Sequence, residues 1–330
     1  MKNKLFFKAS KELGDVQEYK EQLCNWFMSN EIKELVDVFQ GNFPKNKPEQ
    51  EILSWLVKFS DVWDYRKKQR SSLDVTTGER ARWLISNAGL SEEQKMCIDK
   101  ASRELGLLGV EEPSLEQYDY VIALGGARMS CMYRTKYAWQ IAKQYSEGVK
   151  DVVLLGAMRP VAESEREATD TYALGAVTEF DLMEAAIHHC EKGMEKTGDL
   201  LENNENSNLS WRMNYYREHD SNMSVISMAA PSTDPVRRAN SADTYKFLKE
   251  KIIEGKENSV LLVTSQIYVP YQHVEAVRTL GLPYGVTVDT IGFPVEWNVN
   301  AMGGMMQYEN YLQEIRSALQ AIERLWKVMK

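Results

Sequence analysis

Tyr118–Arg128 reads Y-D-Y-V-I-A-L-G-G-A-R, and the fold is read outward from it. Val121, Ile122, Ala123 and Leu124 form an apolar run of strand length, bounded by turn-favouring residues. Gly125 and Gly126 remove side chains where the backbone turns, so a ligand could approach bare amides. A helix is expected from about Cys131 to Glu147. Its first turn would bring free N–H groups and the positive end of its dipole to the same place.

The pattern recurs. Asp151–Arg159 is D-V-V-L-L-G-A-M-R, again a strand, a glycine and an arginine. Ser224–Ala230 precedes Pro231-Ser232-Thr233, Ser259–Ser265 precedes Gln266, and a last strand is expected over Gly285–Ile291. Segments of helical composition lie between these runs. The alternation predicts an α/β chain with a doubly wound, mostly parallel, Rossmann-like sheet of about five strands. Ligands on such sheets sit beyond the carboxyl ends of the strands. Here those ends carry Gly125, Gly126, Arg128, Gly156, Arg159, Ser232, Thr233, Thr264, Ser265 and Gln266.

The 330 residues are 43% hydrophobic and 27% charged, an ordinary globular composition. A net charge of -8 argues against nucleic-acid binding through bulk charge. Cys24, Cys97, Cys131 and Cys190 are widely spaced, which predicts reduced thiols rather than a disulfide framework. Charges interrupt the first residues at once, so no signal peptide is read, and no apolar window is long enough to span a membrane. A cytoplasmic location is expected.

Residues 1–112 read as a helical region and 113–330 as the Rossmann-like unit. Val16–Phe39 carries helix-spaced apolar residues, with a break near Ser29-Asn30, and Ile52–Trp63 carries a further stripe. The basic run Arg66–Arg70 reads as a solvated helix end or, less simply, an anion site. Thr77-Gly78-Glu79 punctuates the next stretch, and Ser91 with Gln94 forms a capping-box pattern. Thr178 is a further N-cap candidate. Residues 191–222 are polar and predict an insertion, a long loop or a lid. Trp211, Arg212, Tyr215, Tyr216, Arg217 and His219 would close it over a planar or anionic ligand. Gly303-Gly304 precedes a C-terminal amphipathic helix over 307–329.

Leu124-Gly125-Gly126, Ser164-Glu165-Arg166-Glu167-Ala168, Ser241-Ala242-Asp243-Thr244 and Val263-Thr264-Ser265 follow one another in an order that resembles the YdcF/SanA/ElyC-like family. The resemblance implies a Rossmann-like fold with these motifs around one crevice. Asp243 stands where that family has Asn, Tyr268 where it has His, and Tyr271 where it has Arg; His273 lies one helical turn further on.

Glycine turns, arginines and helix N-termini suit a phosphate or carboxylate, which Arg can hold with a bidentate fork. Arg128 and Arg159 are the first candidates, and Arg237 could add to them. Their structural alternative is pairing with Glu163, Glu165 or Asp170. Glu165 is the candidate general acid or base, or the holder of a ribose hydroxyl, unless it merely caps a helix. Ser164, Ser241, Asp243, Thr244, Thr264, Ser265, Gln266 and Tyr268 complete the expected ligand shell. No protein metal site is expected, since His188, His189 and Cys190 are adjacent and diverge on a helix. A Mg²⁺ ion could accompany a phosphate with one or two carboxylates. The expectation is an anionic small-molecule ligand, phosphorylated or nucleotide-like, acted on by a hydrolase or transferase. The alternatives are a non-catalytic sensor or interaction protein, and a nucleoside ligand of the S-adenosylmethionine type.

Overall fold

The computed structural model of the chain describes residues 4–9, 14–65, 88–109, 112–145, 148–191, 193–218, 223–255, 257–297 and 306–329. Arg66–Arg70, Thr77-Gly78-Glu79, His219 and Gly303-Gly304 lie outside the described residues.

One sheet contains strands β1 (Tyr120–Leu124), β2 (Asp151–Ala157), β3 (Met194–Glu202), β4 (Trp211–Glu218), β5 (Ser224–Ala230), β6 (Ser259–Ser265) and β7 (Thr287–Phe293). Their spatial order is β3-β4-β5-β2-β1-β6-β7. From β5 to β7 every pairing is parallel, while β3 and β4 join the edge antiparallel. The sheet is therefore mixed and seven-stranded, which corrects the expectation of about five strands. The residues read as a lid form a hairpin. Its strands escape a search for apolar runs because only some positions meet a core: Met213 and Tyr216 are buried, while β3 is mostly exposed. Trp211 packs on Phe247 with ring centres 5.4 Å apart and planes tilted by 56°, and the Arg212 guanidinium lies 5.6 Å from the Phe180 ring centre.

The helices are α1 (Gly14–Phe27), α2 (Asn30–Val38), α3 (Glu49–Phe59), α4 (Glu92–Glu104), α5 (Ser130–Gln144), α6 (Arg166–Thr169), α7 (Glu179–Cys190), α8 (Ser241–Lys251), α9 (Val269–Ala276), α10 (Leu282–Tyr284) and α11 (Tyr308–Trp326). Ser29 caps α2, separating it from α1 where the sequence pattern broke. Capping boxes start α4 at Ser91 and α7 at Thr178.

The parallel strands are apolar on both sides because both faces are covered. Val121 and Ala123 of β1 and Val263 of β6 pack with Cys131 and Ala138 of α5 and Leu182 of α7. On the other face Ile122, Leu124 and Leu262 share a core with α8, α9, α11 and the N-terminal helices. Leu23, Trp26, Leu35, Leu53, Ile315 and Leu319 are all fully buried in it or nearly so. The helix after β1 thus covers one face and the helix after the neighbouring β6 covers the other. Among the described residues, no helix is long and apolar enough to cross a membrane.

Leu23 of α1 and Leu262 of β6 belong to one core, so Leu23→Ala should weaken the whole molecule by about 2–5 kcal/mol. Urea unfolding followed by tryptophan fluorescence checks this. A separate early transition that leaves the sheet untouched would show that the N-terminal helices fold independently.

Candidate functional site

The carboxyl ends of β1 and β2 are tied together by Arg159. Its five N–H donors meet five acceptors. Nε donates to Glu179 Oε2 at 3.1 Å, and Nη1 to Glu165 Oε1 at 2.6 Å and the Pro160 carbonyl at 3.1 Å. Nη2 donates to Glu165 Oε2 at 3.1 Å and the Gly126 carbonyl at 3.2 Å. Burial works against the Arg159 charge, but Glu179 and Glu165 outweigh it and raise the guanidinium above its ordinary value. Glu165, only 2% exposed, also accepts from the Arg128 N–H at 3.2 Å. Arg128 adopts a left-handed backbone, φ 55°, and its carbonyl accepts from Tyr172 Oη at 3.0 Å. The structural alternative for Arg159 is therefore realised, with Glu179 in place of Glu163 or Asp170.

The glycines are bare for the protein's own side chains. A Cβ at Gly125 would run into the Glu179 carboxyl group, and one at Gly126 would stand 2.9 Å from Arg134 Nη1 and from Ser130 Cβ. At Gly156 it would meet Met183 Sδ at 2.8 Å and Glu179 Oε1 at 3.0 Å.

Arg134, buried on α5, was not anticipated. Its Nη1 donates to the carbonyls of Leu124 (3.1 Å) and Gly125, while Nη2 donates to Ser265 Oγ at 3.1 Å. Two arginines therefore hold the successive carbonyls of Gly125 and Gly126. In a trans peptide the N–H points away from the C=O, so the N–H groups of Gly126 and Ala127 are turned away from these guanidiniums. Among the described residues, neither N–H has a hydrogen-bond acceptor. Both lie at the entry to α5, which carries no side-chain cap and no acidic residue in its first turn. Cys131 donates to the Gly126 carbonyl at 3.1 Å, and burial, then Glu179, pushes its thiol up to about 12.

The other expected ligand residues divide. Ser265 reaches the Gly-Gly turn through Arg134, whose guanidinium lies 5.9 Å from the Tyr268 ring centre. Thr264 and Gln266 are completely buried. Gln266 Nε2 donates to the Gly106 carbonyl at 2.8 Å and so points into the helical region instead of at a crevice. Ser164 is exposed on the turn Glu163–Glu165. Asp243 closes a local network: Arg237 Nη2 donates to it at 3.2 Å, Thr233 Oγ1 at 2.6 Å and the Asn240 N–H at 2.9 Å. Burial pushes its carboxyl up, but the bonds from Arg237, Thr233 and Asn240 hold it at about 2. Ser241 opens α8, and its carbonyl accepts from Thr244 Oγ1 at 3.0 Å.

Comparison with known proteins adds the lineage. The uncharacterized protein Rv3785 of Mycobacterium tuberculosis strain H37Rv is 32% identical over 320 residues, covering 91% of this chain and 87% of its own length. The chain belongs to the Rv3785 family. The uncharacterized proteins Mb3814 of Mycobacterium bovis and MT3893 of M. tuberculosis strain CDC 1551 give the same identity and coverage. The family description "Rv3785 N-terminal domain" matches residues 10–106. No solved structure matches the chain. The matched stretch ends at Gly106, the residue whose carbonyl holds Gln266 at the end of β6.

Glu179 and Arg134 are the site residues that sequence reasoning missed. Glu179 carried a signal, since it directly follows the N-cap Thr178. Arg134 carried a weaker one, a charge among residues facing the sheet. His273, one turn beyond Tyr268, is a core residue: its Nδ1 lies 3.1 Å from Thr290 Oγ1, and its ring is 5.9 Å from Tyr19. Burial lowers its pKa to about 4. In the unfolded chain it would titrate near the ordinary value of 6.5. Between these values the unfolded state binds more protons, so stability falls as pH drops from 6.5 towards 4. Urea midpoints measured across this window should show that slope, and His273→Gln should flatten it.

Proposed function

We propose that this chain binds a small anionic metabolite, phosphorylated or nucleotide-like, at the carboxyl ends of β1 and β6. The observation that carries this reading is the pair of unclaimed amides, Gly126 and Ala127, at the entry to α5. Consecutive amides at a helix entry suit an anion through hydrogen bonds and the helix dipole. The strand order supports the same place. Counted alone, the parallel strands run third-second-first-fourth-fifth, the doubly wound order of Rossmann-like folds, with its switch point between β1 and β6. The resemblance to YdcF/SanA/ElyC-like proteins also rests partly on Leu124-Gly125-Gly126 and Val263-Thr264-Ser265, which end these two strands.

In this reading the arginines serve the anion indirectly. Arg134 and Arg159 grip carbonyls and so orient the amides. Arg128 follows these amides on the turn itself. Ser265, fully buried at the end of β6, supports the turn through Arg134, and Tyr268 follows it. A Mg²⁺ ion would have to come with the phosphate. A nucleoside ligand of the S-adenosylmethionine type would use the same crevice.

The geometry around Glu165 favours binding without turnover over hydrolase or transferase chemistry. Both its oxygens already accept from Arg159, which suits an anchor better than a general base. Glu165→Gln would then change stability and leave any turnover standing, whereas turnover abolished in a folded variant would restore the catalytic role.

A thermal-shift panel of nucleotides, sugar phosphates, pyrophosphate and S-adenosylmethionine, with and without Mg²⁺, tests the binding. A ligand at 100 times its dissociation constant should stabilise the chain by roughly 2.7 kcal/mol. Gly126→Ala should remove the shift by forcing the turn away from Arg134. A folded protein that no member of the panel stabilises would sink the proposal.

A further inference from the structure

The two edges of the sheet are treated differently. Along β7, Phe7 exchanges both backbone hydrogen bonds with Val288, at 3.2 and 2.9 Å, and the Ala9 N–H donates to Thr287 Oγ1 at 3.1 Å. Residues 4–9 thus cover that edge. At the other end, among the described residues, β3 pairs only with β4, and most of its side chains are exposed. Leu200 and Leu201 are 52% and 46% exposed. An open edge of this kind is a template for another strand.

The pattern of β3 selects the strand that would fit. Lys196 pairs with Tyr216 and Gly198 with Tyr215, so Thr197 is a bulge residue. The bulge puts Met194, Lys196, Asp199 and Leu201 on one face and Glu195, Gly198, Leu200 and Glu202 on the other. The Lys196–Asp199 ion pair at 3.2 Å reflects this shared face. Directly opposed residues in an antiparallel pair lie on the same face. We infer that β3 pairs antiparallel with β3 of a second copy of this chain, with Lys196 opposite Asp199 of that copy, forming a two-fold homodimer with one continuous sheet.

In this register Met194 stands opposite Leu201 and Glu195 opposite Leu200, so both exposed leucines are covered. Two-fold symmetry makes every contact occur twice. The neighbouring registers that keep the faces matched are worse. Sliding by two residues one way sets Glu195 against Glu202, and the other way sets Asp199 against Met194 and leaves Lys196 without an acid. A bulge and alternating charges normally blunt an edge against open-ended pairing. Here the same devices leave one self-complementary register, and it closes after two copies. The backbone bonds supply the affinity and the charges set the register.

Sedimentation equilibrium on the full chain tests this. The wild type should sediment as a dimer of the 37.9 kDa chain. Lys196→Asp and Asp199→Lys, both at partly exposed positions, should each weaken the dimer roughly tenfold or more, with unchanged circular dichroism. Combining them swaps the charges and should restore it. A monomeric wild type, a dimer indifferent to both single variants, or a combined variant as weak as the single ones would each overturn the proposal.

Discussion

Burying Arg159 is the constraint on which the strand-end region depends. A guanidinium taken out of water is tolerated only when its charge is met and each donor finds an acceptor. Meeting that demand draws in four separate pieces of chain: the turn after β1, the loop after β2, the helical turn at Glu165 and the first residue of α7. The glycines follow from the same demand. Gly125 and Gly156 make room for the Glu179 carboxyl group, without which Arg159 would lose one of its two charge partners. Glu179 in turn accepts from the Ala157 N–H at 3.2 Å, fastening α7 to the end of β2. The long connection between β2 and α7 is held by these ion pairs together with Val161, Ala173 and Ala176, which pack in the core.

Arg134 repeats the device on the other side of the turn. It gathers two carbonyls and a serine hydroxyl under the entry to α5, linking β1 to β6. Carbonyls gripped from below leave their amides facing elsewhere. The strongest donors of the region are therefore spent on the protein's own carbonyls, serine and carboxylates. That inverts the simplest view of an arginine-rich strand end, in which the guanidiniums themselves meet the ligand.

The parallel strands were legible because each is buried on both faces and appears as an unbroken apolar run. Tyr120–Leu124 and Ser259–Ser265 needed no alternation to be recognised. The hairpin was not legible for the opposite reason. Only Met194 of β3 is buried, and its charges mark an exposed edge, which looks like loop when judged by composition. Contacts at the strand ends were legible where glycine and arginine meet. They were lost where the partner comes from far along the chain: nothing near Gly125 announces Glu179, and nothing near Gln266 announces Gly106. The bulge at Thr197 is likewise invisible in sequence, because it exists only relative to β4.

The N-terminal helices are bound into this architecture. Trp26 is fully buried, and its Nε1 donates to the Leu105 carbonyl at 3.0 Å; Phe27 meets Trp326 of α11 edge-on at 5.9 Å. One face of the sheet, with Ile122 and Leu262, is closed by α8, α9 and α11 together with these helices. Stripping them away would leave Leu312, Ile315, Leu319 and Trp326 beside water, an apolar patch that a stable folded unit does not expose. A detachable interaction module is a poor description of such a region. Any partner it serves must use its outer surface, such as the groove of about 1080 Å³ that includes Met28, Lys33, Phe43 and Ile52. Gln266 ties the helical region to the strand ends: its amide donates to the Gly106 carbonyl while its backbone turns the chain out of β6.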